Sequence, residues 1–268
     1  MKVRVRWHRR WLRRRKEPVT FTAPIARTTM TVADVESKYG GISPKGIMMF
    51  YGKKGRKKAL VKSAKDIPPV AGLPHGFANL SESVADTIDD LFGWNIVPPT
   101  SAREMERGPE GLAGGEFTVQ EWVPDSKTMS VAVDYDKRFV FFDAHYDRVM
   151  KMAVLDFIIA NRDRHTGNII VTNRTKQIYA IDHGFSFDSD VSGYFVPNND
   201  LTFRYVSGKT IPENIMHDLR ELEEGDLRAA VAPLGPTAVD GAVKRWKLLV
   251  QKGKMPGTNW RGFFLAHT

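Results

Sequence analysis

The sequence predicts an α+β fold of two lobes, β-rich in the first and mainly helical in the second. Three observations carry that expectation. Up to residue 123 the apolar residues come in short runs, many β-branched or aromatic, separated by Gly, Pro and polar turns. From residue 143 they recur at helical spacing. Between a helical run and a short hairpin in the second half lies one dense polar cluster, residues 161–168.

Residues 1–16 read as a basic arm, with nine Lys or Arg and no acid. Removing those nine from the 40 basic residues leaves 31 against 31 acidic ones, so the formal charge of +9 belongs to the arm. The arm reads as a solvated tail, as an edge strand in which Val3, Val5 and Trp7 alternate with basic residues, or as a grip on nucleic acid or another polyanion. Phe21-Thr22 and Thr28–Val32 are β-rich, and Gly40-Gly41 and Ser43–Gly46 are turns. Ile47–Tyr51 and Ala59–Val61 predict a hairpin around Gly52–Lys58. A Pro- and Gly-rich stretch, 68–76, precedes a helix capped by Asn79 or Ser81. That helix has Val84, Ile88 and Leu91 on one face and ends at Gly93. Phe117–Val123 predicts a strand, followed by a turn at Pro124-Asp125-Ser126. The domain division is therefore arm 1–16, first lobe 17–123 and second lobe 124–268. In the second lobe, residues 143–160 predict one helix, and Ile169–Val171 with Ile178–Ile181 a hairpin. Residues 212–251 are mainly helical, broken by Gly225, Pro233, Gly235 and Pro236.

Composition excludes several classes. At 268 residues, with 42% hydrophobic and 26% charged, the chain suits a globular enzyme. The lack of cysteine removes disulfides, thiolate nucleophiles and cysteine-based zinc sites. No apolar run approaches the roughly 18 residues a membrane span needs. The basic N-terminus has no apolar segment behind it, so a secretory signal is not expected and a cytoplasmic location is.

The cluster Asn161-Arg162-Asp163-Arg164-His165-Thr166-Gly167-Asn168, with Asp182-His183-Gly184 after the hairpin, carries the chemistry. Phosphoryl transfer needs a carboxylate to orient the attacking hydroxyl and hard oxygen ligands to hold Mg²⁺ against phosphates. Asp163 and Asn168 have the Asp-x-x-x-x-Asn spacing of a kinase catalytic loop. Asp163 is thus the candidate catalytic carboxylate, and Asn168 and Asp182 are the candidate metal ligands. His165 reads either as a proton-transfer or γ-phosphate contact or as a loop brace. Arg164 is counted with the catalytic set, or else pairs with an acid of the second lobe. Lys62, at the end of an apolar strand, is placed for the α/β-phosphates, with Lys57, Lys58 and Lys65 as competitors. Glu82 is its candidate ion-pair partner, with Asp86 as rival. The loop 40–46 reads as an ordinary turn or as a phosphate cover, with Ser43 and Gly46 contributing. Glu121 and Val123 would offer backbone groups to adenine. The cofactors expected are ATP and Mg²⁺ or Mn²⁺, in a protein-kinase-like fold.

The run Leu155–Asn168, with Ile181-Asp182-His183-Gly184, resembles the phosphatidylinositol 3- and 4-kinase-like superfamily, which includes lipid kinases, actin-fragmin-type protein kinases and bacterial relatives. Asp163, Arg164, His165 and Asn168 match its D-R-H-x-x-N core, and Phe92–Thr100 looks like the bacterial branch. HipA-like kinases share a similar loop. The resemblance covers roughly residues 58–187 and implies an ATP- and Mg²⁺-dependent kinase. Asp-His-Gly replaces the usual Asp-Phe-Gly, and no long lipid-recognition loop follows Asp182. A protein acceptor, through Ser or Thr, is therefore expected ahead of a small molecule or a lipid. Transfer of AMP, and a non-catalytic module binding polyanions through residues 1–16, are the alternatives.

Overall fold

The structure, a computed structural model, describes residues 47–52, 56–63, 76–107, 113–187 and 201–257. The basic arm, the expected β segments in 21–32 and the loop 40–46 lie outside the described residues.

In the first lobe, β1 (Ile47–Gly52) and β2 (Arg56–Ser63) form the expected antiparallel hairpin, joined by a shorter link than the sequence suggests. β4 (Ala113–Glu121) pairs with β2, and β3 (Thr100–Arg107) closes the sheet in the order β1-β2-β4-β3. The sequence gives no sign of β3. Thr-Ser-Ala-Arg-Glu-Met-Glu-Arg is charged and lacks apolar alternation, the composition of an edge strand shielded from other edges.

Helix α1 (Phe77–Phe92) lies against this sheet. It begins at Gly76 (φ 80°), so Asn79 and Ser81 are not its caps but buried residues of its first turns, Ser81 donating to the Phe77 carbonyl. Gly93 (φ 68°) ends it as expected, a left-handed turn that glycine adopts without a Cβ penalty. Glu82, Asp86 and Asp89, at helical spacing, are 1%, 5% and 1% exposed. Buried carboxylates must find donors. Glu82 takes Lys62, Asp86 takes the Thr100 N–H and Asp89 takes the Ile96 and Val97 N–H groups. That stripe nails the helix to the strand and turn following it.

In the second lobe, β5 (Ser126–Thr128), β6 (Ile169–Thr172) and β7 (Ile178–Ala180) form a small antiparallel sheet. Ser126 therefore belongs to a strand as well as to the expected turn. After α2 (Met129–Ala132), the single helix expected over 143–160 is two, α3 (Arg138–Ala144) and α4 (Tyr146–Ile158). The chain bends at His145 (φ −123°) because α4 is buried on nearly every side whereas α3 buries only Phe142. Helices α5 (Leu201–Val206), α6 (Glu213–Glu221), α7 (Glu224–Val231) and α8 (Pro236–Lys252) complete the lobe. Gly225 does not break a helix: it lies inside α7, and the break falls at the extended Leu222 and Glu223. Gly235 and Pro236 do mark a boundary. One apolar cluster runs from α1 through α4 to α8, so the fold is α+β, β-rich first and helical after, as the sequence predicts.

Candidate active site

Where α4 ends, the chain turns through the catalytic loop, and one buried arginine organises it. Arg164 is fully buried. It grips Asp156 of α4 with two N–H groups (2.9 and 3.0 Å) and donates from Nη1 to the carbonyls of Asn168 and Ile181 at 2.6 Å each. Asn161 also donates to Asp156 (2.8 Å) and accepts the Asp163 N–H (3.0 Å). The Ile181 N–H donates to the Asn168 carbonyl, so the start of β6 and the end of β7 are locked side by side. Arg164 thus braces the loop from beneath. Its place in the expected catalytic set is corrected: a side chain with no exposure and these partners does not touch a substrate. Asp156 and Asn161 are residues that sequence reasoning missed. The available signal was an acid inside the apolar run 149–159, which has to be paired if buried.

Above the brace stand the chemical groups. Asp163 is partly exposed, with its backbone carbonyl accepting from Asn168 Nδ2 at 2.8 Å and its carboxylate 3.4 Å from the same nitrogen. His165 Nε2 is 3.7 Å from that carboxylate, while its Nδ1 accepts the Gly167 N–H at 3.0 Å. The latter contact fits the loop-brace reading of His165, and the former keeps it near the Asp163 carboxylate.

Lys62, paired across the sheet with Ile47 and Thr118, reaches Glu82 Oε1 at 2.5 Å and Asp182 Oδ1 at 3.0 Å. The rival Asp86 is occupied by Thr100. Burial alone would lower the Lys62 pKa, but the Glu82 and Asp182 carboxylates outweigh it and hold the ammonium above its ordinary value. Burial likewise opposes ionisation of Asp182, yet Lys62 and then Arg164 hold its carboxyl below the ordinary range. Glu82 is raised by its complete burial, opposed by Lys62. Asp182 itself adopts φ 61°, a left-handed conformation uncommon for a residue with a Cβ. Next to it His183 is fully buried and held neutral, its pKa far below the ordinary value through burial and the nearby Arg164 and Lys62 charges.

Glu121 and Val123, expected to offer backbone groups to adenine, lie at the end of β4 and just beyond it. The Glu121 N–H donates to the Pro99 carbonyl and the Val123 carbonyl accepts from Ser126, so these two groups are engaged within the chain. Ser43 and Gly46 lie outside the described residues, as does Lys65. Among the described residues no three His, Cys, Asp or Glu side chains cluster as a metal site. The expected oxygen donors are the Asp182 carboxylate, whose pKa is held below the ordinary value, and the Asn168 amide. That set suits Mg²⁺, which is commonly held by one or two protein oxygens plus substrate phosphates.

Residues 118–229, which span this whole arrangement except Lys62 and Glu82, match the family model described as Phosphatidylinositol 3- and 4-kinase. Over that stretch the chain is similar to a kinase domain. The resemblance expected from the catalytic loop is borne out over that stretch, and with it the coarse activity, phosphotransfer. The chain is 28% identical over 222 residues to Protein Rv2133c of Mycobacterium tuberculosis, covering 71% of this chain and 75% of that protein. Its shape is similar to the Helicobacter pylori proinflammatory kinase CtkA (TM-score 0.48, 12% identity, 87% of this chain and 96% of that one). It is also similar to hydra Fam20 (TM-score 0.49, 14% identity, 88% of both chains). Among the described residues no helix is long and apolar enough to cross a membrane.

Proposed function

We propose that this kinase-type domain transfers the γ-phosphoryl group of ATP, with Mg²⁺, to a hydroxyl, and that the acceptor is Ser or Thr of a protein. The observation that carries the reading is the three-way contact of Lys62 with Glu82 and Asp182, which ties the β-sheet, α1 and the loop after the hairpin together across the cleft. Glu82, buried behind it, aims the ammonium; a nucleotide entering the cleft meets a fixed positive charge for its phosphates. Asp182 and Asn168 would hold Mg²⁺, which when bound neutralises phosphate charge. Asp163, on the floor built by Arg164, orients the attacking hydroxyl and accepts its proton, and His165 is within reach of that carboxylate. The sequence after Asp182 shows no long loop of the kind reserved for a lipid headgroup, which favours a protein acceptor.

The test is intact-mass spectrometry after incubation with ATP and Mg²⁺, with and without protein acceptors and with phosphatidylinositol vesicles as a second arm. Phosphate gained by protein is the expected result. A phosphorylated lipid, or AMP on the protein, would replace the acceptor or the transferred group in this reading, and no transfer at all would overturn it.

A further inference from the structure

A cluster of aromatic rings on the second lobe is buried on one side and open on the other. Phe142 of α3 is fully buried, and the Tyr205 ring of α5 lies 5.3 Å from it. Phe139 stacks on Tyr205 at 6.0 Å yet is 51% exposed. Val140 beside it, and Tyr135 four residues before it, are 70% and 74% exposed. Single exposed apolar residues are ordinary. Three large ones adjoining an aromatic cluster form the kind of patch that marks a contact surface.

The chain after α8 runs to the edge of this cluster. Met255 donates its N–H to the Lys209 carbonyl (2.9 Å), and the Pro256 carbonyl accepts the Gly208 N–H (3.1 Å). The Lys209 ammonium sits 3.6 Å from the centre of the Tyr205 ring. Gly257 therefore stands about one lysine side chain away from the rings. Residues 258–268 follow, and four of those eleven are large and apolar: Trp260, Phe263, Phe264 and Leu265. An extended chain covers about 3.3 Å per residue, so Phe263 and Phe264 reach about 20 Å from Gly257. That exceeds the path from Lys209 through Tyr205 to Phe139. Arg261 in the same segment matches the exposed Asp143, which accepts the Tyr205 hydroxyl.

We propose that residues 258–268 dock on this patch, with apolar side chains over Phe139 and Val140 and Arg261 at Asp143. A short tether gives an effective concentration in the millimolar range. At micromolar protein the chain's own segment therefore outcompetes the same segment of a second copy. The surface belongs to α3 and α5, so the proposal does not rest on the catalytic reading.

The chain has no cysteine, so introduced pairs report on this contact directly. In the full chain, Val140→Cys is combined with Leu265→Cys and treated with a short bis-maleimide. The reference pair is Arg174→Cys with Leu265→Cys, Arg174 being 92% exposed between β6 and β7. Val140 and Arg174 are both exposed, so neither change threatens the fold. Peptide mapping of the monomer should show the 140–265 cross-link forming about tenfold faster than the 174–265 one. Adding Phe139→Ser should bring the faster rate down to the reference. Equal rates for the two pairs, or a 140–265 rate untouched by Phe139→Ser, overturns the proposal. A covalent dimer in place of the internal link also overturns it, and assigns the patch to a second copy.

Discussion

The two sides of the candidate site are built on different principles. The floor, from Asp156 to Ile181, is a closed network in which the buried arginine, carboxylate and amide satisfy one another. The bridge, from Lys62 through Glu82 to Asp182, is paired at its centre but leaves polar atoms behind it without partners among the described residues. These are Glu82 Oε2, both amide atoms of Asn79, both ring nitrogens of His183 and Ser186 Oγ. A satisfied buried network is rigid, whereas an unsatisfied one stores free energy that water or a small shift can release. The difference teaches that the loop carrying Asp163 is fixed in advance, while the side carrying Lys62 and Asp182 is the adjustable part.

The comparison breaks most visibly at the floor. Arg164→Met should leave Asp156 charged and unpaired and cost about 3–5 kcal/mol, read as a loss of Tm and of urea resistance. A cost below about 1 kcal/mol would mean that the floor is not the closed network described. On the bridge, Lys62→Met also takes the partner from a buried carboxylate, Glu82, and so should cost stability too, but under the proposed function its distinguishing effect is a fall in kcat/KM of about a hundredfold or more. Steady-state kinetics beside thermal unfolding separates the two effects.

A third comparison uses pH. Asp89 is buried near Asp90 and Arg148, and burial raises its pKa from 3.8 to about 7 despite two backbone N–H donors. A carboxyl whose folded pKa is raised contributes stability that is fully present below the unfolded value and is lost as pH rises through the folded one. Between pH 5 and pH 8 the wild type should therefore lose about 2 kcal/mol from this group. Asp89→Asn should flatten that slope, as followed by Tm across the range. The smallest effect is expected at His183. Replacing its unpartnered, neutral ring by Phe should be neutral or stabilising by up to about 1 kcal/mol. A clear loss of stability would indicate that buried water completes the bridge.

Much of this architecture was legible because it follows from local signals. The β1–β2 hairpin, Gly93 at the end of α1, the β6–β7 hairpin and the Asp163–Asn168 spacing are all set by residues close in sequence. What the sequence hid depends on distant contacts. The edge strand β3 is charged without apolar alternation and is defined by its pairing with β4, and the bend at His145 reflects how deeply α4 is buried. Arg164 could be read as reactive or as a brace until Asp156 was seen eight residues before it on the same floor. Asp86 rivals Glu82 in the sequence only because Thr100, which holds it, is fourteen residues away. The pairing of Lys62 with Asp182 spans 120 residues and leaves no local trace in the sequence.

The central claim is that Asp182, held ionised by Lys62, serves phosphoryl transfer. The most direct measurement is the rate of transfer from γ-labelled ATP by the wild type and by Asp182→Asn, a near-isosteric change that removes only the charge. The account predicts transfer by the wild type and a fall of about a thousandfold in the variant, with the fold retained. Equal rates in the two proteins would contradict it.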